Sequence, residues 1–424
     1  EQPIAQTEPS AKTAVFDSDR TGGKAAGLRV ALFSGNYNMV RDGANKALNR
    51  LVRYLLEHGA QVRVYSPTIA EPAFAPAGDL VSVPSFATDC RKEYRPTLGL
   101  RSAGREDIRA FAPNVVHLSA PDRLGRQMQT FAAEIEVPVV ASLHTLFQTY
   151  FTYYGLDIFR GYAERYLDRF YGRCDIVLAP NPYLVEELRQ TTQLGDHVHT
   201  WSRGVDHKLW NPSRRDPEWR RAKGYADDEA VLLFFGRLVK EKGIDVFEEV
   251  VKTLRERGRK VRPLIVGAGP AGDDLAGRIG EAVFTGHVEG EELARAVGSA
   301  DILVNPSTTE AFGNVNLEAM ASGLAVVSAD APAARALIED GKNGLIVPPR
   351  DARAYADAIE RLTDDPAYRK TLADAGIAFS ERYHWSAILD NVIASYRQAI
   401  AEGPHLRDPK VAAVAAKRRA AFAA

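Results

Sequence analysis

The feature that most constrains this chain is an alternation that occurs twice. Short apolar runs recur along it, and stretches with helical spacing separate most of them. The first series opens with "LRVALF" (28–33). The next stretch carries Ala44, Ala47, Leu48, Leu51, Val52, Leu55 and Leu56, a pattern of period 3.6. Gly59 fits the helix stop, and Gln61 to Tyr65 gives a second strand. "NVVHLS", "VPVVASLH", "DIVLAP" and "HVHTWS" continue this series. The second series runs through "AVLLFFG", "VRPLIVG", "AVFTG", "ADILVNPS", "LAVVSAD" and "NGLIVPP". Strands apolar on both faces and alternating with helices form parallel sheets covered by helices. The chain is therefore expected to be α/β: two Rossmann-like, doubly wound parallel-sheet domains facing a cleft. Ligands in such sheets bind outside the carboxyl ends of the strands.

The expected boundaries follow the pattern. Residues 1–27 are a polar tail expected to be disordered, and 28–205 form the N-terminal domain. Residues 206–228, rich in charge and without a clear period, are a linker. Residues 229–380 form the second domain, a helix over 381–402 crosses back to the first, and 403–424 are an Ala-, Lys- and Arg-rich tail. The formal net charge is -1, so no global field draws nucleic acid to this chain, and any basic site is local. Cys90 and Cys174 form neither a metal spacing nor a disulfide framework, which fits a reducing cytoplasm. No apolar run reaches a membrane span, and the first residues lack the apolar core of a signal peptide. A D-x-D at 17–19 lies in the polar tail, where it is not expected to hold metal.

"LIVGAGPAGDDL" (264–275) raises a specific alternative. Gly267, Gly269 and Gly272 give the G-x-G-x-x-G spacing of a flavin or nicotinamide site. The rest of that fingerprint is absent. Asp273 and Asp274 open the following helix, where a pyrophosphate would need a positive end. No ribose-binding acid ends the next strand, because the nearest, Glu289, lies beyond the turn. The glycines read instead as a tight strand-to-helix turn.

A second constellation carries more chemistry. In "PSTTEAFGNVNLEAMASG", Glu310 and Glu318 flank seven residues. Gly313 and Asn314 stand where a helix begins, so the free N–H groups around Gly313 to Val315 would face the cleft and attract phosphate. Arg237 and Lys242 follow the first strand of the second domain and supply cations to the same cleft.

These pieces resemble the retaining glycosyltransferases of family 4, which have the GT-B fold. The matches are G-R-x-x-x-x-K-G (Gly236, Arg237, Lys242, Gly243), E-x7-E (Glu310, Glu318), "VGAGP" and "RGVDHKLWNP", over about 28–402. The resemblance implies a metal-independent hexosyl transfer from a nucleotide-diphosphate sugar, with no cofactor. It implies that Arg237 and Lys242 hold the donor diphosphate and stabilise the leaving group. Glu318 would accept hydrogen bonds from the ribose, and Glu310 would contact the transferred sugar with help from the backbone of Phe312, Gly313, Asn314 and Val315. His144 matches the histidine that faces the sugar from the first domain. His287 and Val288 lie where the backbone reads the base, Gly267 belongs to the nucleotide-side turn, and Gly43 sits in the first glycine loop. The usual paired glycine of that loop is Asp42 here.

The stretch 144–173 is dense in aromatics and arginines. It reads either as a face for a membrane interface or lipid-linked acceptor, or as a helical core wall with solvated arginines. On the first reading the protein contacts the inner face of the plasma membrane from the cytoplasm. "HTxFxxYxxYYGL" and "EAFGNVNLEAMASG" are most similar to bacterial GDP-mannose-dependent α-mannosyltransferases, with a lipid or saccharide acceptor. Related patterns use UDP-glucose, UDP-galactose or UDP-glucuronate to glycosylate diacylglycerol or ceramide. A FAD or NAD oxidoreductase is the remaining alternative.

Overall fold

The computed structural model describes residues 22–40, 42–87, 95–144, 160–191, 194–404 and 413. The D-x-D at 17–19, Cys90 and most of the aromatic loop after His144 lie outside the described residues.

The first sheet has seven strands, all parallel. They are β1 (Arg29–Phe33), β2 (Gln61–Ser66), β3 (Asp79–Ser82), β4 (Val115–Leu118), β5 (Val139–Ser142), β6 (Ile176–Ala179) and β7 (Val198–Thr200). Their order is β3-β2-β1-β4-β5-β6-β7. Edge strand β3 was not among the expected strands, because its short run is only half covered and shows little apolar pattern. The second sheet contains β8 (Leu232–Phe235), β9 (Leu264–Val266), β10 (Val283–Gly286), β11 (Ile302–Asn305), β12 (Ala325–Ala329) and β13 (Leu345–Val347). It is also parallel, in the order β10-β9-β8-β11-β12-β13. In each sheet the winding direction reverses beside the first strand, at β1/β4 and at β8/β11. A crevice opens at such switch points, where neighbouring loops leave in opposite directions.

Helix Gly43–Glu57 shows how sequence becomes position. Ala47, Leu48, Leu51, Val52 and Leu55 form one buried face against the first sheet. Complete burial of one such leucine contributes about 1.5–3 kcal/mol. The Asp42 side chain accepts the Asn45 N–H at 2.7 Å and fixes the helix start at the cleft.

The last helix, Trp385–Glu402, follows the second domain in sequence but packs into the first. Ile388, Leu389, Val392, Ile393, Tyr396 and Ala399 join the core formed by β1 and helix Gly43–Glu57. The chain therefore passes between the domains twice. The passages touch, since the Val205 N–H donates to the Tyr383 carbonyl at 2.9 Å.

Residues 206–228 are bound to the second domain rather than spanning free space. Trp210 and Tyr225 are buried in its core. Arg220, only 3% exposed, donates to the carbonyls of Ser299 and Glu229, both at 2.6 Å, and to Asp301 at 3.0 Å. Polar anchoring of this kind leaves no hydrophobic period for a sequence reading to detect.

Candidate active site

The two switch points meet in a cleft with two adjoining lobes. They measure about 1450 Å³ and 1510 Å³, counted to the open mouth. Asp42, Gly43, Arg203, Arg237, Asn314 and Val315 border both lobes. His144, Lys242, Glu310, Phe312 and Gly313 line the first; Gly267, His287, Val288 and Glu318 line the second. The structure thus brings every sequence-predicted site residue to this cleft. It also separates the two glutamates: the helix Asn314–Ala321 starts at the boundary between lobes, with Glu310 before it on one side and Glu318 in its second turn on the other.

Local hydrogen bonds hold the first lobe. Thr309 Oγ1 donates to the Glu241 carbonyl at 3.2 Å, tying the loop after β11 to the loop after β8. Lys242 Nζ and Glu310 Oε1 consequently meet as a hydrogen-bonded ion pair. Asn305 Nδ2 donates to Asn316 at 2.8 Å, and Tyr355 donates to the Asn305 carbonyl at 3.1 Å. This buried amide network holds the loop beneath the helix N-terminus. Gly313 caps that helix at φ 91°, a left-handed conformation that glycine adopts without strain. Arg237 is exposed and makes no side-chain hydrogen bond or ion pair among the described residues.

The glycine run of 264–275 now has a structural reason. A Cβ on Gly267 would lie 1.9 Å from the Gly236 carbonyl oxygen, and one on Gly269 would lie 2.4 Å from that of Leu238. The loop after β9 lies directly on the loop after β8, with the Leu238 N–H donating to the Ala268 carbonyl at 3.0 Å. The following helix, Gly272–Arg278, carries Asp273 and Asp274 in its first turn. Its glycines serve close backbone packing, and Gly267 lines the second lobe.

Two features were not legible beforehand. The first is Arg203, 5% exposed, which borders both lobes as a further cation. Burial lowers its pKa to about 10 while Asp42 opposes that shift, so it stays charged at neutral pH. The signal was present in "RGVD", at the carboxyl end of β7.

The second is how His144 is held. Arg203 Nη2 lies 2.6 Å from His144 Nδ1. A guanidinium only donates, so Nδ1 accepts and Nε2 carries the proton. That proton goes to Ser142 Oγ at 2.7 Å. Ser142 Oγ also hydrogen-bonds His117 Nε2 at 2.9 Å, and His117 Nδ1 hydrogen-bonds the Tyr396 hydroxyl at 2.8 Å. Burial holds both imidazoles neutral: it lowers the pKa of His117 to about 3, and that of His144 well below its usual value with help from Arg203 and His117. His144 therefore enters the cleft with both ring nitrogens already engaged. Tyr396→Phe should leave His117 Nδ1 buried without a hydrogen-bond partner. We expect it to destabilise the protein by about 1–3 kcal/mol in urea unfolding.

Glu318 is half-buried. Burial, reinforced by Glu310 and opposed by Lys46, raises its pKa to about 8. The cleft thus combines three cations, a helix N-terminus and a proton-holding carboxyl. That arrangement can bind a diphosphate between two hydroxyl-rich groups.

Comparison with known proteins places the fold and the family. A family model described as Glycosyl transferases group 1 matches residues 229–365, and one described as Glycosyltransferase Family 4 matches 41–209. The GDP-mannose-dependent alpha-mannosyltransferase of Mycobacterium tuberculosis is 32% identical over 379 residues, covering 87% of this chain and 96% of that protein. The sulfoquinovosyl transferase of Arabidopsis thaliana is 29% identical, covering 85% of this chain and 71% of its own length. Among solved structures, the sucrose-phosphate synthase of Thermosynechococcus elongatus superposes with a TM-score of 0.72 at 21% identity, covering 88% of this chain and 100% of that one. The Anabaena protein HepE, in complex with UDP and glucose, gives 0.66 at 16%, covering 88% and 99%. These two share the fold. The chain belongs to the family 4 (group 1) glycosyltransferases of GT-B architecture, enzymes that transfer a sugar from a nucleotide sugar.

Proposed function

We propose that the enzyme moves mannose from GDP-mannose to a hydroxyl of a lipid or saccharide acceptor, with retention of configuration. The observation that carries this reading is the convergence of Arg203, Arg237, Lys242 and the Asn314 helix N-terminus at and beside the boundary between the lobes. A leaving diphosphate there would meet positive charge already in place, with little reorganisation as the anomeric bond loosens. Lys242 would exchange part of its pairing with Glu310 for the phosphate, freeing the carboxylate for sugar hydroxyls. Glu318, His287, Val288 and Gly267 would surround the nucleoside. In this reading the departing phosphate serves as the base for attack on the same face.

The mannosyl donor is favoured by the mycobacterial relative, which matches across nearly its whole length. The acceptor side draws support from a pocket in the first domain. Arg126, Arg165, Arg169 and Arg173 surround Tyr162, Tyr166 and Phe170 there, and Tyr162 is 70% exposed. An aromatic and basic surface suits an anionic lipid headgroup. No helix among the described residues is long and apolar enough to cross a membrane.

Thermal unfolding with GDP, UDP, ADP, NADH and FAD tests the donor. A nucleotide present at 100 times its Kd adds about 2.7 kcal/mol. We expect GDP to raise Tm most. A larger rise with UDP would replace mannose by a UDP-linked hexose, as in the glycolipid-forming alternative. A rise with NADH or FAD alone would overturn the reading.

A further inference from the structure

His207, Glu381 and His384 lie where the two interdomain passages meet, beside the second lobe, whose lining includes their neighbours Asp206 and Trp385. Their candidate ligand atoms all fall within 4.8 Å of one another. His384 Nε2 is 3.0 Å from Glu381 Oε2, and His207 Nε2 is 3.7 Å from Glu381 Oε1. The two imidazoles face each other with centroids 4.5 Å apart and planes inclined by 42°. None of the three lines either lobe of the cleft.

We infer that these three side chains form a divalent transition-metal site, taking zinc, that clasps the two passages between domains. Zinc–nitrogen bonds of about 2.0–2.1 Å in a tetrahedron place neighbouring donors about 3.3 Å apart. The two imidazole–carboxylate separations, one to each oxygen of Glu381, lie on either side of that value. Two imidazoles and one carboxylate are a borderline-soft set that binds zinc, copper or nickel in preference to magnesium or calcium. The backbone beneath is already paired: besides the Val205–Tyr383 hydrogen bond, Val205 and His384 form an isolated parallel bridge. Side-chain adjustment therefore suffices to close the set. Glu381 and His384 are 55% and 53% exposed, which leaves an entry path and a solvent-filled fourth position.

The metal-free state is defined by the same bonds. The Ser380 hydroxyl donates to the Ile377 carbonyl at 2.7 Å, so Ser380 Oγ accepts from His207 Nε2–H at 3.3 Å. Metal binding moves that proton from Nε2 to Nδ1, so the neutral imidazole offers its Nε2 lone pair as the ligand with no net proton released. The consequence follows from position. His207 lies on the first passage, while Glu381 and His384 lie on the second. Opening and closing of the cleft must turn about these two strands of chain. A metal shared between them opposes relative rotation and slows domain motion.

Isothermal titration of the chelator-stripped full chain with zinc chloride tests the site. We expect one equivalent bound, a raised Tm, and no heat with magnesium. His207→Ala and His384→Ala should each weaken binding by at least the about 10–100-fold seen for loss of a mere outer-shell partner. No zinc binding by the wild type, or undiminished binding by the double variant, would overturn the site. The effect on motion rests on the proposed transfer activity. Zinc should lower kcat in the wild type but not in His207→Ala, whose zinc-free activity should match wild type. Zinc bound with kcat unchanged would overturn the clasp while leaving the site. A protein that transfers no mannose would still give the calorimetric answer.

Discussion

Arg237→Ala should lower kcat by about 10²–10³-fold, the loss typical of removing one preorganised group that stabilises developing charge. Arg237 borders both lobes and makes no ion pair among the described residues. Its guanidinium is therefore available to the diphosphate without first breaking an internal contact. Lys242 differs, because Glu310 already holds it. Negative charge accumulates on the phosphates as the sugar leaves, so the loss should fall more on kcat than on donor affinity. Arg237→Lys should recover only part of the rate, since a point charge cannot reproduce a planar, two-toothed contact. Single-turnover transfer at saturating donor measures this directly. A decrease smaller than threefold for Arg237→Ala would remove this residue from the proposed mechanism.

Glu318→Gln should act in opposite directions on stability and on binding. The folded-state pKa of Glu318 is raised to about 8, first by burial and then by Glu310. A carboxyl raised in this way binds more protons folded than unfolded between its ordinary value and about pH 8. Its contribution to stability therefore falls as pH rises through that window, and the penalty is complete above it. The amide carries no such penalty. The variant should melt several degrees above wild type at pH 8.5 and close to it near pH 4.5. At pH 8.5, where the carboxyl is ionised, nucleotide affinity should meanwhile weaken about 10–100-fold, because the ribose hydroxyls lose a charged acceptor worth about 1.5–3 kcal/mol. Differential scanning calorimetry at the two pH values and a nucleotide titration check both halves. Equal melting at pH 8.5 would contradict the burial argument, and unchanged affinity would contradict the ribose contact.

Much of the architecture was legible because its signals are local. Apolar runs such as Val30 to Phe33 and Ile302 to Val304 announce strands buried on both faces. The spacing of Leu48, Leu51, Val52 and Leu55 announces the helix between. Edge strand β3 left no such pattern because neither of its faces is fully covered. The segment around Arg220 was also opaque, since a buried guanidinium and three carbonyl or carboxylate partners 9, 79 and 81 positions away leave no periodic trace.

The sequence by itself determined the strand–helix alternation, the loops that carry Arg237, Lys242, Glu310 and Glu318, and the helix start at Asn314, because each depends on residues within a few positions of one another. It also showed, through Asp273 and Asp274, that a glycine spacing alone did not make a redox site. Only the tertiary structure decided that Gly267 and Gly269 are demanded by the carbonyls of Gly236 and Leu238. Only it set Glu310 and Glu318 on opposite lobes, placed Arg203 between them, and joined His144 to Tyr396 through Ser142 and His117. Most of those relations join residues tens to hundreds of positions apart. Burial, close approach and hydrogen-bond direction exist only once both sheets and the returning helix have packed.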